Sequence, residues 1–284
     1  MPKLLSDDQV AAYREHGFVA PVPLFDAETA RGYRRRFEDY EAANRDFYKV
    51  TKGQKLYLLQ TWARDLCTHP RVLDAVEDLL GPDLMVWGTS MFVKDANDPG
   101  FVSWHQDATY WGLDKPDVVT AWIALSPATL ESGCMRVVPG SHKWPQMEHR
   151  DTLASANMLT RGQEIAVDVN EADAVAMPLQ PGEMSLHHVM IAHSSKPNTT
   201  GDRRIGLAIR YMAPHVAQGK AARDSAWLVR GEDRYGNFVS ETPAAMDMDA
   251  AAVAEYTRIM KLRQGNLYQG VQGKPAHGRL ADGA

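Results

Sequence analysis

The stretch Met184-Ser-Leu-His-His-Val-Met-Ile-Ala-His193-Ser-Ser-Lys-Pro-Asn-Thr-Thr-Gly-Asp-Arg-Arg204-Ile-Gly-Leu-Ala-Ile-Arg-Tyr-Met212 decides how the chain is read. It divides into three short runs suited to strands, Met184–His188, Met190–His193 and Arg204–Met212. The Pro197–Asp202 region between the last two is made of turn formers. A turn there sets the flanking strands antiparallel and brings Arg204 back toward His193. Alternation along the last strand puts Arg204, Gly206, Ala208 and Arg210 on one face and Arg203, Ile205, Leu207, Ile209 and Tyr211 on the other. If helices cover the sheet, both faces are buried. The aliphatic face then suits the helix layer, and the small-plus-arginine face suits a ligand cavity.

The same texture extends outward from about Asp83. Further candidate strands are Leu84–Lys94, Val118–Leu125, Cys134–Val138 and Ala174–Met177, separated by turns such as Asn97-Asp-Pro-Gly100, Pro139-Gly-Ser141 and Pro181-Gly-Glu183. Before Asp83 the pattern is helical. Ser6 and Gln9 form a capping box for a helix ending at Gly17, Asp26 caps a longer helix to about Asn44, and Lys55–His69 carries apolar residues at helical spacing. Pro70 opens a short helix that stops at Gly81. Helices first and short strands later predict a mostly β fold with flanking helices, a double-stranded β-helix (a jelly-roll, cupin-like barrel) buttressed by the N-terminal helices. One domain is expected over residues 1–284, with a helical part at about 1–82, a jelly-roll core at about 83–214 and a C-terminal extension at 215–284. The run 146–163 has little periodicity and is expected to be a mobile active-site loop. Residues 249–264 are expected to form a last helix.

Composition narrows the function classes. With 44% apolar and 24% charged residues in 284, the chain is long enough for a sizeable core. The net charge of −5 and the lack of a basic stripe argue against nucleic-acid binding. Arg34-Arg35-Arg36 is followed closely by Glu38, Asp39 and Glu41, the pattern of a solvated helix face. The two cysteines, Cys67 and Cys134, fit neither a disulfide framework nor a thiolate metal site. No secretory h-region and no stretch of membrane-spanning length is evident, so a cytoplasmic location is expected, with a small-molecule substrate and a monomer or homodimer.

The chemistry concentrates in Phe101-Val-Ser-Trp-His-Gln-Asp107. In a strand, His105 and Asp107 share a face, with Gln106 turned away. An imidazole and a carboxylate so placed are two thirds of a facial 2-His-1-carboxylate site, the ligand set of non-haem Fe(II) oxygenases, which leaves three adjacent positions for co-substrates. His187, His188 and His193 are candidates for the third ligand. His193 is favoured because the following turn brings Arg204 back beside it, and a guanidinium near the metal offers a bidentate partner for a carboxylate.

These residues carry a resemblance. The chain from Tyr13-Arg-Glu-His-Gly-Phe18-Val to about Pro214 resembles the phytanoyl-CoA dioxygenase (PhyH-like) family of Fe(II)/2-oxoglutarate-dependent oxygenases, which also includes ectoine hydroxylase and non-haem iron halogenases. Its specific pieces are Trp104-His-Gln-Asp107, Glu131-Ser-Gly-Cys-Met-Arg-Val-Val-Pro-Gly-Ser-His142, and His193-x-Ser-x-x-Asn198 ending at Arg204. The resemblance implies His105, Asp107 and His193 as iron ligands and Arg204 as the anchor of the distal 2-oxoglutarate carboxylate. It further implies Ser195, Lys94 and Trp122 around that co-substrate, and O2 as the oxidant. His188 matches a frequent family residue without a ligand role. Halogenases of the family have a small residue in place of the carboxylate ligand. Asp107 stands there in this chain, so hydroxylation of an aliphatic C–H is favoured, with release of succinate and CO2.

Phe92, Trp104, Tyr110, Trp111 and Arg210 are candidates for the substrate pocket, and a small polar metabolite is the expected substrate. Arg136 and Arg161 read as surface residues. Two other readings remain. A cupin-like metal enzyme without 2-oxoglutarate needs no arginine eleven residues past the distal histidine. A non-catalytic binding module on the same scaffold would take up no iron.

Overall fold

A computed structural model describes residues 2–151, 156–159, 163–165, 169–219 and 224–267. The N-terminal part holds α1 (Asp7–His16), β1 (Phe18–Pro23), α2 (Ala27–Ala43), α3 (Arg45–Thr51), α4 (Thr61–Cys67) and α5 (Pro70–Leu80). The β-rich part holds β2 (Leu84–Lys94), β3 (Val102–His105), α6 (Ala108–Trp111), β4 (Val118–Ala124), β5 (Met135–Val137), β6 (His149–Asp151), β7 (Gln163–Ile165), β8 (Val175–Met177), β9 (Glu183–His188), β10 (His193–Ser195) and β11 (Arg204–Met212). Then come β12 (Ser225–Arg230), β13 (Val239–Ser240) and α7 (Ala250–Leu267).

Local chemistry accounts for the helix ends. Ser6 and Gln9 make the reciprocal capping box of α1, and Gly17 ends that helix at φ 85°, in the left-handed region where glycine is least strained. Asp26 caps α2 through the Thr29 N–H, and Pro70 opens α5. Three expectations needed revision. Lys55–His69 is not one helix: a 3-10 turn at Leu56–Leu58 precedes α4, because Lys55 takes a left-handed conformation at φ 47°. Residues 18–23, within the part read as helical, form β1, which pairs with β9. The strand read as Met190–His193 begins only at His193, since a turn occupies 189–190.

The larger sheet runs β1-β9-β4-β11-β2-β12-β13, and the smaller runs β3-β10-β5-β8. Apart from the parallel β12–β13 pair, these strands are antiparallel. The larger sheet draws β1 from ahead of residue 83 and β12 and β13 from beyond 214. Its outer face carries Ile205, Leu207, Ile209 and Tyr211 of β11 with Val119, Ala121 and Ile123 of β4, all buried against Phe37, Trp62, Leu66 and Val76 of the helices. Burying each such aliphatic side chain contributes roughly 1.5–3 kcal/mol, and this outweighs any preference for placing these residues toward a cavity. The Tyr211 hydroxyl donates to Cys67 O at 2.9 Å, fixing β11 to α4.

Behind the sheet, the buried Lys55 ammonium donates to Trp87 O at 2.6 Å and pairs with Glu241, which also accepts from the Tyr57 hydroxyl. The network joins the N-terminal part, β2 and the chain beyond β13. Of residues 146–163, the structure describes 146–151, 156–159 and 163, with β6 paired to β7; the others in that expected loop lie outside the described residues. Among the described residues, no helix is long and apolar enough to cross a membrane.

Candidate metal centre

His105 ends β3 and His193 begins β10, and the two are direct partners across that antiparallel pair. Side chains so placed face each other, and the imidazole centroids lie 4.0 Å apart. Each ring is oriented the same way: His105 Nδ1 is 3.0 Å from Ser103 O, and His193 Nδ1 is 3.0 Å from Ile191 O. A carbonyl only accepts, so each Nδ1 carries the proton. Each Nε2 then offers a lone pair, as metal-binding histidines require.

Asp107 arrives by a different route from the one the sequence suggested. The strand stops at His105, and Asp107 is helical (φ −58°, ψ −40°), immediately ahead of α6. The chain can turn there because the Gln106 amide is pinned on both sides, donating to Met190 O at 2.9 Å and accepting from Met147 N–H at 2.7 Å. The turn places Asp107 Oδ1 3.4 Å from His105 Nε2. One ligand atom from each of His105, Asp107 and His193 lies within 4.8 Å of the others.

Electrostatics favour the metal-ready protonation state. Burial pulls His193 down to about 3, and the field of His105 adds to it, so the imidazole is neutral. Burial alone would raise the Asp107 carboxyl. The contact with His105 and the neighbouring His193 and Arg210 outweigh it and hold the group below the usual carboxylate range. Two imidazoles tied to backbone carbonyls through Nδ1 and an anionic carboxylate on one side of a cavity are a donor set fitted to a divalent ion such as Fe(II), with neighbouring positions left open.

The cavity beside them is lined by residues that include Phe92, Trp122, Ser195, Arg204, Ala208 and Arg210. The small-plus-arginine face of β11 is thus the cavity face. Arg203 points the other way, paired with Glu41 at 2.9 Å and Asp95 at 2.8 Å. Arg204 is 3% exposed, yet only its Nη1 is bonded, to Gly133 O at 3.0 Å. Nε and Nη2 are buried without partners. Burial lowers the guanidinium to about 10, still cationic at neutral pH. Half of a rigid fork is free, which suits a carboxylate.

Trp122 lies 5.4 Å from that guanidinium, and Gly206 leaves the room its ring occupies. Lys94, opposite Arg204 in register, donates to Ser195 Oγ at 2.7 Å and to Lys196 O. Burial, aided by Arg204, brings its ammonium down to about 7.

Some expected pocket residues lie elsewhere. Trp104 alternates with His105 in β3 and faces away from the cavity, against Val138, Ile165 and Ala192, with Arg136 over its ring at 5.8 Å. Trp111 packs on Trp87 at 4.9 Å, with Arg210 over it at 5.2 Å, so its link to the cavity is indirect. The Tyr110 side chain and Arg161 lie outside the described residues. Arg136 pairs with Glu171 at 2.7 Å. His187 is no member of the three-residue cluster but lines the cavity, its ring 5.2 Å from that of His193. Thr120 also lines the cavity and was not singled out; only strand register reveals it.

A jelly-roll barrel with two histidines and a carboxylate converging beside a buried arginine is the architecture of the non-haem iron oxygenases. The chain superposes on the apo form of the non-haem monooxygenase ThoJ with a TM-score of 0.84 at 36% identity, covering 92% of this chain and 98% of that one. The profile of the family described as Phytanoyl-CoA dioxygenase (PhyH) matches residues 13–206. The chain belongs to the phytanoyl-CoA dioxygenase family. It is 30% identical, over 62% of its length, to a protein of Stutzerimonas stutzeri named as a probable alpha-ketoglutarate-dependent hypophosphite dioxygenase, of which the match spans 58%. It is 31% identical, over 49% of its length, to the 1-deoxypentalenic acid 11-beta-hydroxylase of Streptomyces arenae, of which the match spans 51%. The chain thus spans about half the length of these curated relatives.

Proposed function

We propose that this protein is an Fe(II)- and 2-oxoglutarate-dependent dioxygenase that hydroxylates an aliphatic C–H bond of a small polar metabolite, with release of succinate and CO2. His105, Asp107 and His193 hold the iron, and Arg204 takes the distal carboxylate of 2-oxoglutarate. The reading is carried by one observation: a buried guanidinium with two unpartnered N–H groups in the same cavity as a preformed 2-His-1-carboxylate cluster. A metal enzyme without 2-oxoglutarate has no use for that cation, and a binding module has no use for the cluster.

Iron with 2-oxoglutarate and O2 supplies the oxidising chemistry; the chain supplies position and charge. The two Nδ1–H bonds to backbone carbonyls fix the imidazole planes before any ion arrives, so little reorganisation is required. Ser195, whose oxygen accepts from Lys94, keeps its own hydroxyl hydrogen for a co-substrate oxygen. Trp122 and Phe92 give the cavity apolar walls, which keep its charge contacts strong. Asp107 occupies the carboxylate position and favours hydroxylation over halide incorporation. The relatives' names, hypophosphite dioxygenase and 1-deoxypentalenic acid hydroxylase, fit a small substrate without identifying it.

The test is anaerobic addition of Fe(II) and then 2-oxoglutarate to the purified chain, followed by a succinate assay over a metabolite panel. A weak visible charge-transfer band that needs both additions, and substrate-dependent succinate, are expected. A chain that binds metal but gives no band with 2-oxoglutarate would instead be a cupin-like enzyme using other co-substrates.

A further inference from the structure

Strand register places three polar side chains in one row across the larger sheet. Arg210 of β11 faces Thr120 of β4, and Thr120 faces His187 of β9. All three line the cavity that holds the metal cluster. Thr120 is 2% exposed and His187 1%. Each of the three carries a buried polar atom with no partner: Arg210 Nε, Thr120 Oγ1 and His187 Nδ1. Native interiors rarely leave one such atom unpaired, and three in a row on a cavity wall mark a place for a ligand. On the other side of the row, β2 presents Gly88 opposite Arg210, and Arg263 Nη1 lies 3.5 Å from where a Gly88 side chain would begin.

The guanidinium at this end has no direct carboxylate partner; Asp107 acts on it only from a distance. Arg210 is held by Ser90 Oγ at 2.9 Å and lies over the Trp111 ring at 5.2 Å, both neutral. Among the described residues no carboxylate comes within 4.0 Å of it, whereas the neighbouring Arg263 has Asp224 at 4.0 Å. Asp107 and 2-oxoglutarate together balance a divalent ion and Arg204, leaving the Arg210 charge over. Arg204 itself is six residues back along β11, roughly 20 Å at the usual strand rise. The cavity therefore has two cationic ends.

We propose that the Arg210–Thr120–His187 row seats a carboxylate of the substrate, so that the oxidised molecule is a small organic acid held with its acidic group remote from Arg204. The inference rests on the oxygenase reading above and names the substrate class of that site. A monoanion matches the single guanidinium; a phosphate dianion would carry a charge too many.

The experiment is calorimetric titration of the full chain loaded with Ni(II) and 2-oxoglutarate. The probes are hexanoate, benzoate and N-acetylglycine, each against its carboxamide, with methylphosphonate as the phosphorus anion. At least one acid should bind some thirtyfold more tightly than its amide. Arg210→Gln should bring that acid to the amide's level while 2-oxoglutarate affinity stays within about threefold, which also reports that the variant is folded. Thr120→Val should weaken the acid severalfold, and decides the matter if Arg210→Gln does not fold. Equal binding of acids and amides, no binding of any acid, tighter binding of methylphosphonate than of every acid, or an acid affinity untouched by the substitutions each overturns the proposal. Failure of the parent chain to bind 2-oxoglutarate would overturn the oxygenase reading instead.

Discussion

Replacing Arg204 with methionine keeps most of the side-chain volume and removes the buried charge. Two opposite effects are expected. Arg204 has two free N–H groups, Nε and Nη2, available to a carboxylate. Charge-assisted hydrogen bonds contribute about 1.5–3 kcal/mol each, and truncating one partner of a desolvated pair costs about 2–5 kcal/mol in total. Taking about 3–5 kcal/mol, the dissociation constant for 2-oxoglutarate should rise between about 100- and 5,000-fold. The ligand-free protein should respond in the other direction. Two unpaired buried N–H groups each carry a desolvation penalty of about 1–3 kcal/mol, against which stand one bond to Gly133 O and the contact with Trp122. A net gain of about 1 kcal/mol would raise the melting temperature by roughly 2 °C for a chain of this size. Thermal denaturation of parent and variant, with and without saturating 2-oxoglutarate and Ni(II), measures both at once. The parent should gain stability with 2-oxoglutarate and the variant should not. An unaltered 2-oxoglutarate affinity in Arg204→Met would refute the assignment and move attention to Arg210 or Lys94.

Asp107→Ala should abolish substrate-dependent succinate formation and reduce bound iron, measured by metal analysis after desalting; activity equal to the parent's would remove Asp107 from the ligand set. Gly206→Ala should drive a methyl group into the Trp122 ring and cost about 1–3 kcal/mol of stability by overpacking, read from urea denaturation. A silent substitution would mean the ring moves freely. His188 accepts from Met190 N–H at 3.1 Å through Nδ1, and burial lowers it to about 4. The unfolded state therefore binds the extra proton first, and stability falls as pH drops from about 6.5 to about 4. With a discount for partial exposure the loss is about 1–2 kcal/mol; His188→Gln should lessen the slope over that range by this amount, the remainder belonging to His187 and His193, and an identical curve would assign the slope elsewhere.

How much of this was readable from residues alone differed with the kind of signal. Helix ends written in local chemistry, such as Ser6 with Gln9 and Asp26, are found where the sequence puts them, because caps act over three or four residues. The face of β11 was also legible, since Gly206 and Ala208 between two arginines cannot fill a helix–sheet interface. The Asp107 placement was reached by the wrong path. Alternation and a helical turn both bring positions 105 and 107 close, and only the tertiary clamp on Gln106 selects the turn. Strand β1 escaped notice because it is half-exposed, carries two prolines and lies between two well-capped helices. Trp104 is among the aromatics expected at the pocket, though adjacency to His105 in a strand argues for the opposite face. The Thr120–His187 neighbourhood was invisible because it depends on register between strands distant in sequence.

The Lys55–Glu241 contact has a bearing on how the chain can be shortened. The two carboxylate oxygens of Glu241 are engaged by an ammonium and a phenol from the N-terminal part, all with negligible solvent access. Cutting after Pro214, where the resemblance to the family's core ends, would take away the counter-ion and the β12 strand that lies along β2. It would leave a lone cation entombed beneath Trp87, a loss of about 3–5 kcal/mol from that group alone. The described residues beyond Pro214 therefore act as a keystone for the barrel, and a trimmed version would need Lys55 changed to an apolar residue before it could be expected to fold.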